Sequence, residues 1–233
     1  MARFRLEITK GEEIRYISHL DYARAIERAL RRAKLPVAYS EGFNPHMKMA
    51  FASALSVGVT SDAEYLDVDM AEDLAEEALA SRLKPQLPAG IVLNRSRIIV
   101  GRPAALMAVV NLATYRITLP YGAETSADGA AAAVRRFNEV ASVSYVKESP
   151  KGRREIDVKQ YLAEPVELRQ APDGLELAAA IRITPTGSIK PVEVLSVLTG
   201  DFGLPGRADG ARINRTGLFV SDGERRLTPL EVE

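Results

Sequence analysis

The sequence predicts an α+β fold of two consecutive β-α-β-β-α-β units with antiparallel sheets, divided as residues 1–102 and 103–233. Three observations predict it. Stretches of strict apolar–polar alternation, such as Arg3-Phe4-Arg5-Leu6-Glu7-Ile8, recur between segments whose apolar residues fall at helical spacing. Turn formers, rather than long low-complexity linkers, separate these segments. Gly101-Arg102-Pro103 then breaks a first set of six elements, and a similar order follows without close repetition of residues.

Residues 3–8 read as a half-buried strand, and Lys10-Gly11-Glu12-Glu13 as the turn after it. Ser18 with Asp21 three positions later has a capping-box-like pattern, so a helix begins there. It runs to about Lys34, where Leu35-Pro36 stops it, and Tyr22, Ile26, Ala29, Leu30 and Ala33 form its apolar stripe. Met49 to Leu55 reads as a strand, Gly58 as a turn and Ala63 to Met70 as the next strand. Glu72 to Leu83 is an amphipathic helix whose acidic first turn suits the helix dipole. Ile91 to Val100 completes the unit. In the second half, Thr114 to Leu119 is a strand, Ala127 to Val140 an alanine-rich helix, and Ser142 to Lys147 a strand before the polar turn 148–152. Ile156 to Leu162 is a further short element. Val166 to Arg169 pairs with Leu175 to Ile183 across Ala171-Pro172-Asp173-Gly174. Pro191 to Thr199 is a short helix and Arg212 to Val220 the last strand. Two helices on one sheet face in this order make a ferredoxin-like sandwich, so two such sandwiches in tandem are expected.

A chain of 233 residues, 46% hydrophobic and 27% charged, has the composition of a folded domain or pair of domains. It has no cysteine, which excludes disulfides, thiolate metal sites and cysteine-ligated clusters held by this chain alone. The residues after Met1 lack a signal-peptide apolar core and no apolar run approaches a membrane span, so a cytoplasmic protein without membrane association is expected. The formal net charge is zero, yet residues 1–60 hold ten Lys/Arg against six Asp/Glu, and residues 61–90 two against eight. An anionic ligand on the first third is compatible with this, whereas coating of nucleic acid by bulk charge is not, and no DNA partner is expected.

The polar motifs gather around the only two histidines, His19 and His46. His19 falls in the first turn of the first helix, where unpaired backbone N–H groups favour an anion and disfavour a protonated imidazole. It reads as a general base or phosphate-orienting group, or as a first-turn residue packed on the neighbouring loop. Arg24, Arg28 and Arg32 lie at i, i+4, i+8 with Arg31 beside them. Guanidinium groups match phosphate by paired hydrogen bonds, so the ridge suits a nucleic-acid backbone. A solvated face partly neutralised by Asp21 and Glu27 is the other reading. In Glu41-Gly42-Phe43-Asn44-Pro45-His46-Met47-Lys48, turn formers carry an aromatic and a histidine. Phe43, Asn44, His46 and Lys48 therefore read as binding groups, or as a structural loop with Phe43 tucked beneath it. Thr184-Pro185-Thr186-Gly187-Ser188-Ile189-Lys190-Pro191 reads first as a plain turn; the other reading has Ser188 capping the following helix and Lys190 pointing its ammonium at an anion there. Glycine-rich Gly200 to Gly206 lacks the Lys-Ser/Thr of a phosphate loop and reads as a flexible segment. No metal-ligand spacing occurs, and no cofactor is expected. Glu64, Asp67 and Asp69 read as strand and turn charges.

Arg15-Tyr16-Ile17-Ser18-His19-Leu20-Asp21, Glu27 to Ala33, Leu35 to His46 and Leu55 to Tyr65 together resemble the radical-SAM-associated domain family of unknown function. Weaker echoes occur at Glu155 to Val158 and Gly187 to Pro191. The resemblance implies a radical SAM protein as partner, while the missing cluster cysteines mean that this chain cannot itself cleave SAM. Three functions follow as expectations. The first is an auxiliary module that binds transfer or ribosomal RNA for modification. The second is a metal-independent RNA-processing or RNA-modifying enzyme using His19 or His46. The third is a protein–protein adaptor docking through the acidic segment Asp62 to Glu77.

Overall fold

Phe4, Leu6 and Ile8 alternate with Arg3, Arg5 and Glu7, and that alternation organises the first part of the molecule. The computed structural model describes every residue except 1, 102, 123–124, 150–151 and 233. Arg102 of the expected boundary and Pro150-Lys151 of the expected turn lie outside the described residues. The strands β1 (Arg3–Lys10), β2 (Met49–Phe51), β3 (Val59–Asp69) and β4 (Leu93–Ile99) enclose the helices α1 (His19–Arg32) and α2 (Glu76–Leu83) in chain order. There follow α3 (Leu106–Val109), β5 (Leu112–Pro120), α4 (Ala127–Glu139), β6 (Ser144–Ser149), β7 (Gly152–Asp157) and α5 (Val158–Tyr161). The chain ends with β8 (Glu167–Ala171), β9 (Gly174–Arg182), α6 (Pro191–Gly200), β10 (Arg212–Ser221) and β11 (Arg226–Leu227). The fold is mixed α+β, and its named strand pairs are antiparallel.

Two compact units form: Met1–Asn111 with Arg215–Glu233, and Leu112–Asn214. The expected division at 102/103 instead placed the last strand and the residues after it in the second half. In the first unit the strands run β4-β1-β3, and β2 and β10 share the other edge of β3. Phe4, Leu6, Ile8, Leu66 and Val68 face the apolar stripes of both helices, with Tyr22, Ile26, Ala29 and Leu30 from α1 and Leu79 and Leu83 from α2. Ser18 caps α1 as its sequence predicts, its Oγ accepting from the Asp21 N–H at 3.1 Å. The other sheet face is charged. Arg5 donates to Asp67 at 2.8 and 3.0 Å and to the Pro229 carbonyl at 2.8 Å, all buried.

Several expected boundaries move for local reasons. The strand expected over 49–55 stops at Phe51, since Ser53 onward leaves the ladder. Helix α2 begins at Glu76 rather than Glu72, because Leu74 packs on the core and the Glu76 carboxylate accepts from the Ile98 N–H. Lys10 is the last residue of β1, not part of the turn.

In the second unit β9 lies between β5 and β8. The strand expected at 142–147 is β6, and it pairs only with β7 in a two-stranded sheet. The expected short element at 156–162 divides into the end of β7 and α5, with Asp157 capping α5 through the Lys159 N–H at 3.0 Å. Ser188 does not cap α6: its hydroxyl donates to the Arg182 carbonyl, and Glu193 accepts from the Lys190 N–H at 2.7 Å instead. The glycine-rich segment after α6 is tied down by the Leu204 N–H on the Leu198 carbonyl and by Phe202 edge-on to Phe137.

Leu30 has no exposed surface. Leu30→Ala is expected to cost about 2–5 kcal/mol through lost burial and a residual cavity. A urea unfolding curve of the variant beside wild type measures it.

Candidate functional site

The apolar faces of β1 and β3 both end in charge. Lys10 continues the series Phe4, Leu6, Ile8, and Glu64 opens the series Leu66, Val68, Met70. Ile8 pairs with Glu64, and a register shift then sets Lys10 opposite Ser61. Glu64 is 1% exposed and Lys10 1%, so both charges are desolvated and require partners. Arg215, returning on β10 and 3% exposed, donates to both Glu64 carboxylate oxygens at 3.0 Å. Its other terminal nitrogen donates to the Ala54 carbonyl at 3.1 Å. Lys10 Nζ donates to the carbonyls of Arg15 at 3.0 Å and Ile17 at 3.2 Å, pinning the segment that leads into α1. Burial is the main cause that lowers the Lys10 ammonium below its ordinary pKa, and Glu64 opposes it.

His19 stands beside this cluster. Its ring meets Phe51 of β2 edge-on, 4.9 Å between centroids and 75° between planes, and makes no hydrogen bond among the described residues. Partial burial lowers its pKa first, helped by the positive charges of Arg215 and Lys10 and opposed by Glu64. The expectation of a weakly basic His19 therefore rests chiefly on burial. Tyr22, one turn on, donates its hydroxyl to the Thr9 carbonyl at 2.6 Å, and burial raises its pKa well above the ordinary value. Arg15 spans Glu12 and the Gly58 carbonyl, each at 3.2 Å. Its Nε and the Ser61 Oγ are buried without a hydrogen-bond partner, each a desolvation cost of about 1–3 kcal/mol. An imidazole whose proton affinity is lowered by burial, beside a cluster in which Glu64 offsets the cations, is a group that can take or give a proton.

Along α1 the arginines separate. Arg24, Arg28 and Arg31 are exposed, and Arg24 makes a loose 3.4 Å contact with Asp21. Arg32 is exposed too, but it donates to the Gln86 carbonyl and turns toward the segment after α2. The arginines of α1 whose side chains stay free of the neighbouring segments are thus Arg24, Arg28 and Arg31 rather than the i, i+4, i+8 row.

The loop between α1 and β2 closes on itself. Ser40 and His46 exchange backbone and side-chain bonds: the Ser40 N–H to the His46 carbonyl at 2.8 Å, the His46 N–H to Ser40 Oγ at 3.1 Å, and Ser40 Oγ against His46 Nδ1 at 3.0 Å. Phe43 at the tip is fully exposed, at 106%, rather than tucked beneath the loop. Asn44 and Lys48 are exposed as well. His46 faces Ser40 and the Asn44 carbonyl, whereas His19 faces Phe51 and the charged cluster, so the two histidines share no partner. Lys10, Ser61 and Arg215 were not among the sequence candidates, and Glu64 read as a strand charge that nothing singled out. A charge that interrupts an i, i+2, i+4 apolar series is the signal that marks Lys10 and Glu64.

Two measurements check this cluster. Because the folded His19 pKa is lowered, the unfolded chain takes up a proton first on acidification. His19 is then expected to destabilise the fold as pH falls from the ordinary 6.5 toward its folded value and to contribute nothing further once pH lies below both. An NMR titration should show the His19 ring titrating below 6.5. Arg215→Ala leaves Glu64 buried and unpaired and is expected to cost about 3–5 kcal/mol in chemical denaturation.

No curated protein matches the chain. In fold it is similar to a chain of a crystallised Cbf5-Nop10-Gar1 complex, with a TM-score of 0.53 and 9% identity, over 95% of this chain and 50% of that one. At that identity the likeness is one of fold, and this chain spans about half the length of the other. A family model for uncharacterised proteins conserved in bacteria (DUF2344) matches residues 3–191, most of the sequence, and the protein belongs to that family.

Proposed function

We propose that the protein is an RNA-binding auxiliary of a radical SAM enzyme, its first unit a ferredoxin-like platform that presents α1 to the RNA. The observation that carries this reading is the arginine face of α1. Arg24, Arg28 and Arg31 are all exposed, and among the described residues no hydrogen bond or ion pair engages the side chain of Arg28 or Arg31. Three guanidinium groups along one ridge favour phosphates spaced along a backbone. Phe43, held out on the braced 40–46 loop, offers a stacking surface to an unpaired base. The radical SAM partner rests on the motif resemblance in residues 15–65, and the ferredoxin-like reading on the β4-β1-β3-β2 strand order of the first unit.

A second reading, an RNA-processing or RNA-modifying enzyme, is favoured by His19 beside the Lys10–Glu64–Arg215 cluster. The adaptor reading has less support, because Glu64, Asp67 and Asp69 of the acidic segment are engaged internally by Arg215, Arg5 and Arg3.

RNA binding measured against salt tests the main reading. Replacing Arg24, Arg28 and Arg31 together by Ala is expected to weaken binding and to flatten the log–log salt slope by about 2–3, one increment of about 0.7–0.9 per lost phosphate contact. Phe43→Ser should weaken binding with an unchanged melting temperature and an unchanged slope. Absence of salt-sensitive binding in wild type at low ionic strength would overturn the RNA reading. His19→Gln that keeps full binding but loses turnover on the same RNA would favour the enzyme.

A further inference from the structure

The second unit contains a cavity of about 430 Å³ that the proposed function does not use. Its walls come from the β6–β7 hairpin, Tyr161 of α5 and the turn Thr186–Gly187–Ser188. In the hairpin Tyr145 pairs with Ile156 and Lys147 with Arg154. Directly opposed residues share a sheet face, as do residues two apart, so Lys147, Arg154 and Ile156 all stand on one side. Like charges directly opposite each other in an antiparallel pair are destabilising. Lys147 is partly offset: its Nζ lies 3.3 Å from a Glu193 carboxylate oxygen and donates to the Ser188 carbonyl at 3.0 Å. Arg153, which strand alternation sets on the other hairpin face although it also borders the cavity, pairs with Glu148 at 2.8 Å. Arg154 has neither an ion pair nor a hydrogen bond from its side chain among the described residues, and it is exposed. The cavity lining also includes the nearly buried side chains of Ile156 and Tyr161.

The geometry points to a binding site for a phosphate-bearing ligand of mononucleotide size, with the phosphate between Arg154 and Lys147 and its organic body over Ile156 and Tyr161. An anion there removes the repulsion between the two opposed cations. Guanidinium binds phosphate through two parallel hydrogen bonds. The Thr186 hydroxyl stands in the facing turn, bonded to Thr184 Oγ1 at 3.0 Å, and supplies a polar rim. The volume falls within the usual range of small-ligand pockets, about 300–1,000 Å³. Either a free nucleotide or a phosphate of an RNA strand carries this chemistry.

Calorimetric titration of the full chain with AMP, with adenosine as the uncharged control, and with a short single-stranded oligouridylate separates these sources. Arg154→Ala is the test variant, since its side chain is exposed and supports no internal bond, and its melting temperature should equal that of wild type. The expected result is binding of AMP but not adenosine, weakened about tenfold or more in Arg154→Ala, in line with loss of a charge-assisted hydrogen bond. Binding of the oligonucleotide alone, weakened in the same variant, supports the site and assigns its phosphate to RNA. The Arg24/Arg28/Arg31 alanine variant should bind AMP as wild type does, so failure of the α1 reading leaves this result intact. No binding of either phosphate probe, or binding undiminished in Arg154→Ala, overturns the site.

Discussion

A buried ion pair between residues 151 apart, Glu64 and Arg215, is the constraint on which the first unit depends. Glu64 faces the helix side of the sheet, where a carboxylate without a partner is costly, and the chain supplies the partner only on β10. Satisfying Glu64 thus brings β10 back to the edge of β3, after β2 has already taken part of that edge. The residues beyond follow. Pro229 and Leu230 lend their carbonyls to Arg5 and Arg97 on the opposite face of the same sheet. A buried pair of this kind adds little net stability over a well-packed apolar pair, but it penalises every arrangement that leaves either charge alone.

Charge placement also explains how a chain of zero net charge presents a basic face on α1. Part of the acidic stretch after residue 60 is drawn inward, with Glu64, Asp67 and Asp69 each held by an arginine of the same unit, while Asp62, Glu72, Asp73 and Glu77 stay exposed. The arginines of α1 have few such partners and stay in solvent. Electrostatics at the surface is set by which charges are consumed inside, and overall composition does not report that.

The elements legible in the sequence are those whose signal is local. Ser18 and the Tyr22–Ile26–Ala29–Leu30 stripe fix α1, and alternation fixes β1, because capping and periodicity act over a few residues. The charged cluster was not legible, since Lys10 and Glu64 resemble ordinary turn and strand charges until their position in an apolar series is noticed, and Arg215 is remote. Hairpin β6–β7 was half legible: Gly152 to Glu155 is wholly polar, so its strand character shows only through its partner. For Phe43 the sequence left two places open, a binding group on the loop or a side chain tucked beneath it, because a lone aromatic among turn formers suits either. The mutual bonds of Ser40 and His46 close the loop without it.

The insertion of one unit within the other has a consequence for synthesis. Residues 112–214 emerge from the ribosome after the first 111 residues and before Arg215, an interval of roughly 5–20 s of elongation. Throughout it Glu64 lacks its guanidinium and the edge of β3 lacks β10, the kind of open strand edge that invites pairing with other chains. The second unit has all of its own residues by the end of that interval, so folding completes in the reverse of the order in which the units begin.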